Sequence, residues 1–275
     1  MDQPATPTTL DPQGYLNRIR FQAPGDNTLR PALSLLRDLH EAHMLAVPFE
    51  NLSIHYGQPI VLRDEALYDK IVTRRRGGFC YELNGLFAWL LRRLGYEVAL
   101  LSAEVAGSDS SFSAPFDHLT LLVHQVDGAD WLSDVGFGDS FRRPLRFEPE
   151  IEQDGGDGRI YRMYESDMRA DEDAGLPYWL VEQRTGAQPT WEPVYRFMLQ
   201  PHALDDFAAR CHYQQTSPES HFTQKRICSL ALPDGRISLS DLRLITRLHA
   251  VREERQLASE DEYRAVLAER FGVVL

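Results

Sequence analysis

Two glycines followed by one strongly periodic apolar segment limit this chain more than any other feature. After Gly77-Gly78 the sequence reads FCYELNGLFAWLLRRLGY. Phe79, Leu83, Leu86, Phe87, Leu90, Leu91 and Leu94 recur every three or four residues, which is the spacing of a helical face. Arg92 and Arg93 fall where cations suit the negative end of the helix dipole, and Gly95 is placed as a stop. From Tyr96 the period changes. VALLSAEVAG, HLTLLVHQV, WLSDVGF, PLRFEPEI, RIYRMYE, YWLVEQR and VYRFMLQ are short and rich in β-branched and aromatic residues. The turn pairs Asp127-Gly128, Gly155-Gly156 and Thr185-Gly186 separate several of them. Short strands at this spacing predict an antiparallel barrel or sandwich.

Helical patterns come first. Tyr15, Leu16 and Ile19 suit one face of a short helix. Thr28 is placed as the N-cap of a second, carrying Leu29, Leu33, Leu36 and Leu39 and ending near His43, ahead of Pro48. A third, over 64–73, turns Leu67, Ile71 and Val72 inward. At the far end, RICSLAL and RISLSDLRLITR flank Pro233-Asp234-Gly235 as a hairpin. Ser259 to Glu262 form a capping box that opens a last helix, to about Arg270. The order is helices, then strands, then a mixed tail.

The formal net charge of −12 argues against a nucleic-acid partner, which needs clustered cations. Arg74, Arg75 and Arg76 are the one dense basic cluster. It reads as a solvated helix end, or as a small patch for an anionic ligand. Three cysteines, Cys80, Cys211 and Cys228, cannot pair off internally and show no disulfide spacing. The segment MDQPATPTTLDPQGY lacks an apolar signal core, and no stretch approaches the ~20 apolar residues of a membrane span. A cytoplasmic protein without a membrane partner is expected. Oligomeric state has no signature here.

Cys80 falls in the first turn of the strongest helix. There, unpaired N–H groups and the positive dipole end favour a thiolate, and two backbone N–H groups can receive an oxyanion. The plainer reading, a small buried core residue, stays open. A thiolate needs a base. His40 and His43 stand three apart on a helix but lack a third ligand at fixed spacing, so no metal site is expected. His118 begins the strand HLTLLV. A hairpin centred near residue 126 would set His118 opposite Asp134, both on one face. Asp134 would then fix the imidazole, and His118 would take the Cys80 proton. A half-buried histidine beside a surface aspartate accounts for the same residues equally well.

At these residues the chain resembles the arylamine N-acetyltransferase family. The segments are VPFENLSIHYG at 47–57, RRRGGFCYELNGLF at 74–87, FDHLTLLV at 116–123, WLSDVGFGDS at 131–140 and SHFTQKRICS at 220–229. The resemblance implies an α+β fold with a cysteine-protease-like core. Its parts would be an N-terminal helical bundle (1–95), an antiparallel β-barrel (96–205) and a C-terminal α/β lid (206–275). It implies a Cys80, His118, Asp134 triad that takes acetyl from acetyl-CoA, with no metal, and passes it to arylamines, arylhydrazines or N-hydroxyarylamines. Residue matching puts Phe49 and Phe137 on the acceptor pocket and Gly136 and Gly138 beside CoA. Bacterial relatives carry a basic residue where this chain has Glu104, which leaves the CoA phosphate contacts open. Rival readings are a transglutaminase-like or papain-like thiol enzyme, an amide synthase, and a non-catalytic relative. Loss of a triad residue would mark the last, and all three are present.

Overall fold

The structure is a computed structural model. It describes residues 10–22, 29–109, 111–169, 175–186, 190–249 and 251–275. Helix α1 (Pro12–Arg18) opens on Asp11, whose carboxylate accepts from the N–H groups of Gln13 and Gly14. Tyr15, Leu16 and Ile19 are buried, as their spacing predicts. Helix α2 (Leu33–Ala46) begins after Ala32. The expected cap at Thr28 lies outside the described residues. The short strand β1 (Phe49–Glu50) and helices α3 (Leu52–His55) and α4 (Asp64–Tyr68) follow, with α4 running on as a π-type turn over Asp69–Thr73. Helix α5 (Cys80–Arg93) comes next, and all its residues from Cys80 to Leu91 are buried, Glu82 and Asn84 included. The sequence pattern marks one apolar face. The structure sheathes the helix all round, because it packs on α4 and α1 as well as on strands β2 (Glu97–Val105) and β3 (His118–Val126). A helix enclosed in this way must find partners for its polar groups inside the protein.

The barrel continues with β4 (Ala129–Ser133), β5 (Leu145–Arg146), β6 (Gln153–Asp154), β7 (Arg159–Arg169), β8 (Pro177–Thr185) and β9 (Glu192–His202). The strands pair antiparallel in the order β5-β4-β3-β2-β9-β8-β7-β6. Its two ends meet through one side chain. The Gln153 amide accepts from the Arg146 N–H (2.6 Å) and donates to the Arg146 carbonyl (3.0 Å), so the sheet is nearly closed. The segment PLRFEPEI gives only a two-residue strand, because prolines 144 and 149 remove ladder donors on both sides.

The β3–β4 register differs from the expected one. Asp127 and Gly128 both take positive φ (51° and 80°), the tight two-residue turn that matches strand twist. An irregularity between Val123 and Val126 then shifts the ladder to Leu121↔Ser133 and Val123↔Trp131. One step further, Thr120 rather than His118 lies opposite Asp134. The offset from expectation is two residues. An even slip keeps every side chain on its face, so His118 and Asp134 remain diagonal neighbours.

After a 3₁₀ turn (Leu204–Phe207) come α6 (Ala208–Thr216) and α7 (His221–Gln224). Strands β10 (Ile227–Leu232), β11 (Gly235–Ser240), β12 (Arg243–Leu248) and β13 (Val251–Gln256) and helix α8 (Glu260–Val266) complete the chain, with a π-type turn over Leu267–Phe271. RISLSDLRLITR is two strands rather than one, folded back at Asp241 (φ 47°). The sheet order β1-β10-β11-β12-β13 draws β1 from the helical part into the C-terminal sheet. Among the described residues, no helix is long and apolar enough to cross a membrane.

Candidate active site

The start of α5 is fixed from two sides. Gly78 bridges to Phe49, and a side chain at Gly77 would lie 2.0 Å from the Pro48 carbonyl. The glycine pair thus serves a close crossing of two backbones. Glu82 reaches back to cap the Phe79 N–H (3.1 Å) and pairs with Lys70 (2.7 Å). Cys80 is 4% exposed. Burial pushes its thiol well up; the Leu119 N–H draws it back, and the carboxylates of Asp117 and Asp134 raise it further. This runs opposite to the direction expected from the helix dipole. Burial of the sulfur works against the pull of the helix start.

His118 and Asp134 supply a matched pair. His118 Nε2 lies 2.6 Å from Asp134 Oδ2, with both side chains buried. Burial alone would raise the Asp134 carboxyl. His118, the Asn84 amide (2.8 Å) and the Gly136 N–H (2.9 Å) outweigh it and hold the carboxyl below its ordinary range. Asn84 also donates to the Leu119 carbonyl (2.6 Å) and accepts from the Val135 N–H (2.9 Å). His40 Nε2 accepts the Asp134 N–H (3.1 Å), while its Nδ1 donates to the Arg142 carbonyl (2.8 Å). Burial lowers His40 to about 4, which keeps it the neutral acceptor this contact needs. His43 instead meets the Tyr15 hydroxyl (2.6 Å). Among the described residues there is no group of three or more His, Cys, Asp or Glu side chains that could hold a metal.

Asn84 and His40 were missed in the sequence. Asn84 had a signal: it stands four residues after Cys80, on the same face of α5. His40 had none, since its partner lies far along the chain.

Cys80 and His118 open onto one cavity of about 200 Å³, walled by Phe49, Phe137, Phe222 and Val105, with Gly136, Asp117, Gln214 and His221 completing it. The expected site residues Phe49, Phe137 and Gly136 are therefore brought together with the cysteine. The His118 ring meets Phe137 edge-on (5.2 Å) and lies 5.3 Å from Tyr195. At Gly136 a side chain would come within 2.9 Å of the Cys80 backbone; at Gly138 (φ 91°), within 3.3 Å of the Phe49 ring. Both glycines let the loop after Asp134 press on the helix start and the aromatic wall. A larger cleft, about 490 Å³, lies between Arg142, Arg159, Arg236 and the β10–β11 turn. Asp139 bridges Arg159 (2.7 Å) and Arg236 (3.1 Å) there, Arg142 is held by backbone carbonyls, and no cysteine lines the cleft.

Two other expectations change. The basic cluster at 74–76 splits: Arg74 and Arg75 are exposed, as a solvated helix end predicts, and Arg76 is not. Arg76 is buried against Glu50 (2.8 Å), and Arg74 pairs with Asp69 (2.8 Å). Glu104 is buried in the barrel, where Arg196 (2.7 Å) and the Tyr178 hydroxyl hold it.

The sequence profile of the N-acetyltransferase family matches residues 32–275. Fold and cavity thus sit on an acyltransferase frame. The chain is 33% identical to arylamine N-acetyltransferase, pineal gland isozyme NAT-3, of Gallus gallus, over 97% of this chain and 95% of that protein. It is 32% identical to arylamine N-acetyltransferase 1 of Homo sapiens over the same shares, 97% and 95%. Among solved structures, the arylamine N-acetyltransferase of M. tuberculosis superposes with a TM-score of 0.84 at 31% identity, covering 96% of this chain and 94% of that one. The Mycobacterium marinum enzyme, solved in complex with CoA, gives 0.82 at 33% identity, covering 96% and 93%. The chain belongs to the arylamine N-acetyltransferase family.

Proposed function

We propose that the protein moves an acetyl group from acetyl-CoA to the nitrogen of arylamines and arylhydrazines, or to the oxygen of N-hydroxyarylamines, by a ping-pong route through acetyl-Cys80. The observation that carries this reading is the His118–Asp134 pair, 2.6 Å apart, opening onto the same small aromatic cavity as Cys80. With Nε2 engaged by Asp134, His118 Nδ1 is the basic nitrogen. It takes the Cys80 proton as the sulfur attacks the thioester carbonyl. The tetrahedral adduct collapses, CoA thiolate leaves, and His118 returns the proton to it. The arylamine nitrogen then attacks acetyl-Cys80 and gives its proton to His118, and the Cys80 thiolate departs and recovers that proton.

Sulfur replaces sulfur in the first half, so little driving force is required. An alkyl amine such as lysine, pKa ~10.4, is mostly protonated near neutral pH, whereas an arylamine keeps its lone pair. Phe49 and Phe137, with Phe222, are suited to an aromatic ring. Gly136 and Gly138 are suited to the passage of the CoA arm past Cys80, a use supported by the CoA-bound relative from M. marinum. The division 1–95, 96–205 and 206–275 gives each part a share of the cavity: Phe49 and Cys80; Val105, Asp117, His118 and Phe137; Gln214, His221 and Phe222. Three unpaired, buried cysteines suit a reducing compartment such as the cytoplasm.

Intact mass after mixing with acetyl-CoA tests the first half-reaction. The wild-type chain gains one acetyl group, and Cys80→Ala gains none. A wild-type chain that turns over acceptor without a covalent adduct, or an active Cys80→Ala variant, would sink the proposal.

A further inference from the structure

We propose that Asp117 selects among acceptor amines, favouring arylamines with a cationic or hydrogen-bond-donating substituent and disfavouring those with a carboxylate. This rests on the reading of the Cys80 cavity as the acceptor pocket. Asp117 is the one carboxylate among the residues that line that cavity. It also lines an adjoining outer groove of about 320 Å³, which shares Val105, Gln214 and His221 with the cavity. The carboxylate therefore stands at the threshold between groove and pocket.

Its placement is enforced from several elements. Arg210 on α6 approaches Asp117 Oδ1 through Nε (2.7 Å) and its terminal nitrogen (2.7 Å), with the guanidinium stacked over the Tyr213 ring (4.2 Å). The Gln214 amide donates to the same oxygen, and its own carbonyl is held by the Ser220 hydroxyl (2.5 Å). From α5 the Tyr81 hydroxyl donates to the carbonyls of Phe116 (2.8 Å) and Asp117 (3.1 Å). Phe116 sits at φ 64°, a conformation L-residues adopt only when surroundings dictate it. The donors converge on Oδ1, which leaves Oδ2 without a partner among the described residues. That oxygen can accept from an ammonium, an amidinium or the second N–H of a hydrazine.

The balance of charge favours the carboxylate inside the pocket. Arg210 lines the outer groove but not the cavity. A substituent in the cavity therefore meets the negative charge ahead of its counter-ion, between aromatic walls that screen little. A neutral ring is indifferent to this, an anionic one is repelled and a cationic one drawn in.

The test uses three para-substituted anilines of similar size, 4-aminobenzoate, 4-aminobenzyl alcohol and 4-aminobenzylamine, with acetylation of the aniline nitrogen followed by chromatography. Substituent effects on the reacting nitrogen are the same for every variant and cancel in ratios of kcat/KM. Asp117→Asn is expected to raise the anion-to-cation ratio about tenfold, the scale of one nearby charge in a partly screened site. Arg210→Gln is expected to move the ratio the opposite way, because it leaves the carboxylate unbalanced. A mere clamp would slow all three acceptors by one factor in both variants, and that result would overturn the inference. If Asp117→Asn does not fold, the direction of the Arg210→Gln shift decides. Absence of the wild-type acetyl-Cys80 adduct would instead defeat the pocket reading itself, and is scored separately by mass.

Discussion

Two buried clusters of charge flank the first turns of α5, and they are built differently. Cys80 and Asn84 share one face of the helix; Glu82, two residues on, points the other way. On the Glu82 side, Lys70 pairs with Glu82 and Arg76 with Glu50, each acid answered by a cation. On the Cys80 side, the Asp134 carboxylate is answered by an imidazole, an amide and one backbone N–H, while the neutral ring of His40 accepts the Asp134 main-chain N–H. The first cluster pairs each acid directly with a Lys or Arg and lines no cavity with Cys80. The second holds its carboxylate against an imidazole whose other nitrogen is left for the cavity. Buried charge of the first kind fixes a helix in place, and of the second kind is available for chemistry.

Breaking each cluster in turn should expose that difference. The largest effect is expected from Asp134→Asn, which keeps the shape but removes the charge that orients and supports His118. CoA release should fall by about 10³–10⁴-fold in kcat/KM, far more than the accompanying loss of stability from one buried donor left unpaired explains. Next comes Glu50→Gln, which strands Arg76. Urea denaturation should reveal a loss of about 3–5 kcal/mol, while the molecules that remain folded turn over within a few-fold of wild type. If Glu50→Gln instead abolished turnover at full stability, the contrast would be wrong. The third probe is acid. His40 stays neutral in the folded chain down to about 4, whereas an unfolded histidine takes up its proton near ~6.5. A depressed histidine contributes stability above the higher value and loses it as pH falls toward the lower. Unfolding free energies from urea titrations should therefore decline between those limits by roughly 3 kcal/mol in all. Buried His43, lowered in the same direction, steepens the slope. Asp134 adds its loss only at lower pH, where an unfolded aspartate protonates.

Much of this was legible in the chain because local rules governed it. The period of the segment after Gly78 locates α5, and Cys80 is its first residue. The alternation in HLTLLVHQV locates β3, and His118 is its first residue. The partnership of His118 with Asp134 survived a wrong register only because the slip was even. Gln125, at φ 51°, lies in the irregular stretch, and nothing in its residue type announces that. Strands β5 and β6 are two residues each, too short to carry any period. The fate of Arg76 depended on Glu50, which a charge count along the sequence does not pair with it. Asn84 and His40 depended on contacts between parts of the fold, and Phe222 on a C-terminal segment meeting Cys80. In each case the missing information was long-range geometry.

Part of the grip on Asp134 comes from outside the barrel that carries it: Asn84 from α5 holds the carboxylate and His40 from α2 takes the main-chain N–H. Neither half of the molecule owns a finished site. During refolding, a barrel already formed would present a loosely aimed carboxylate until the helices seat against it. The first appearance of enzymatic turnover should then date the docking of the two halves, and catalysis becomes a clock for assembly.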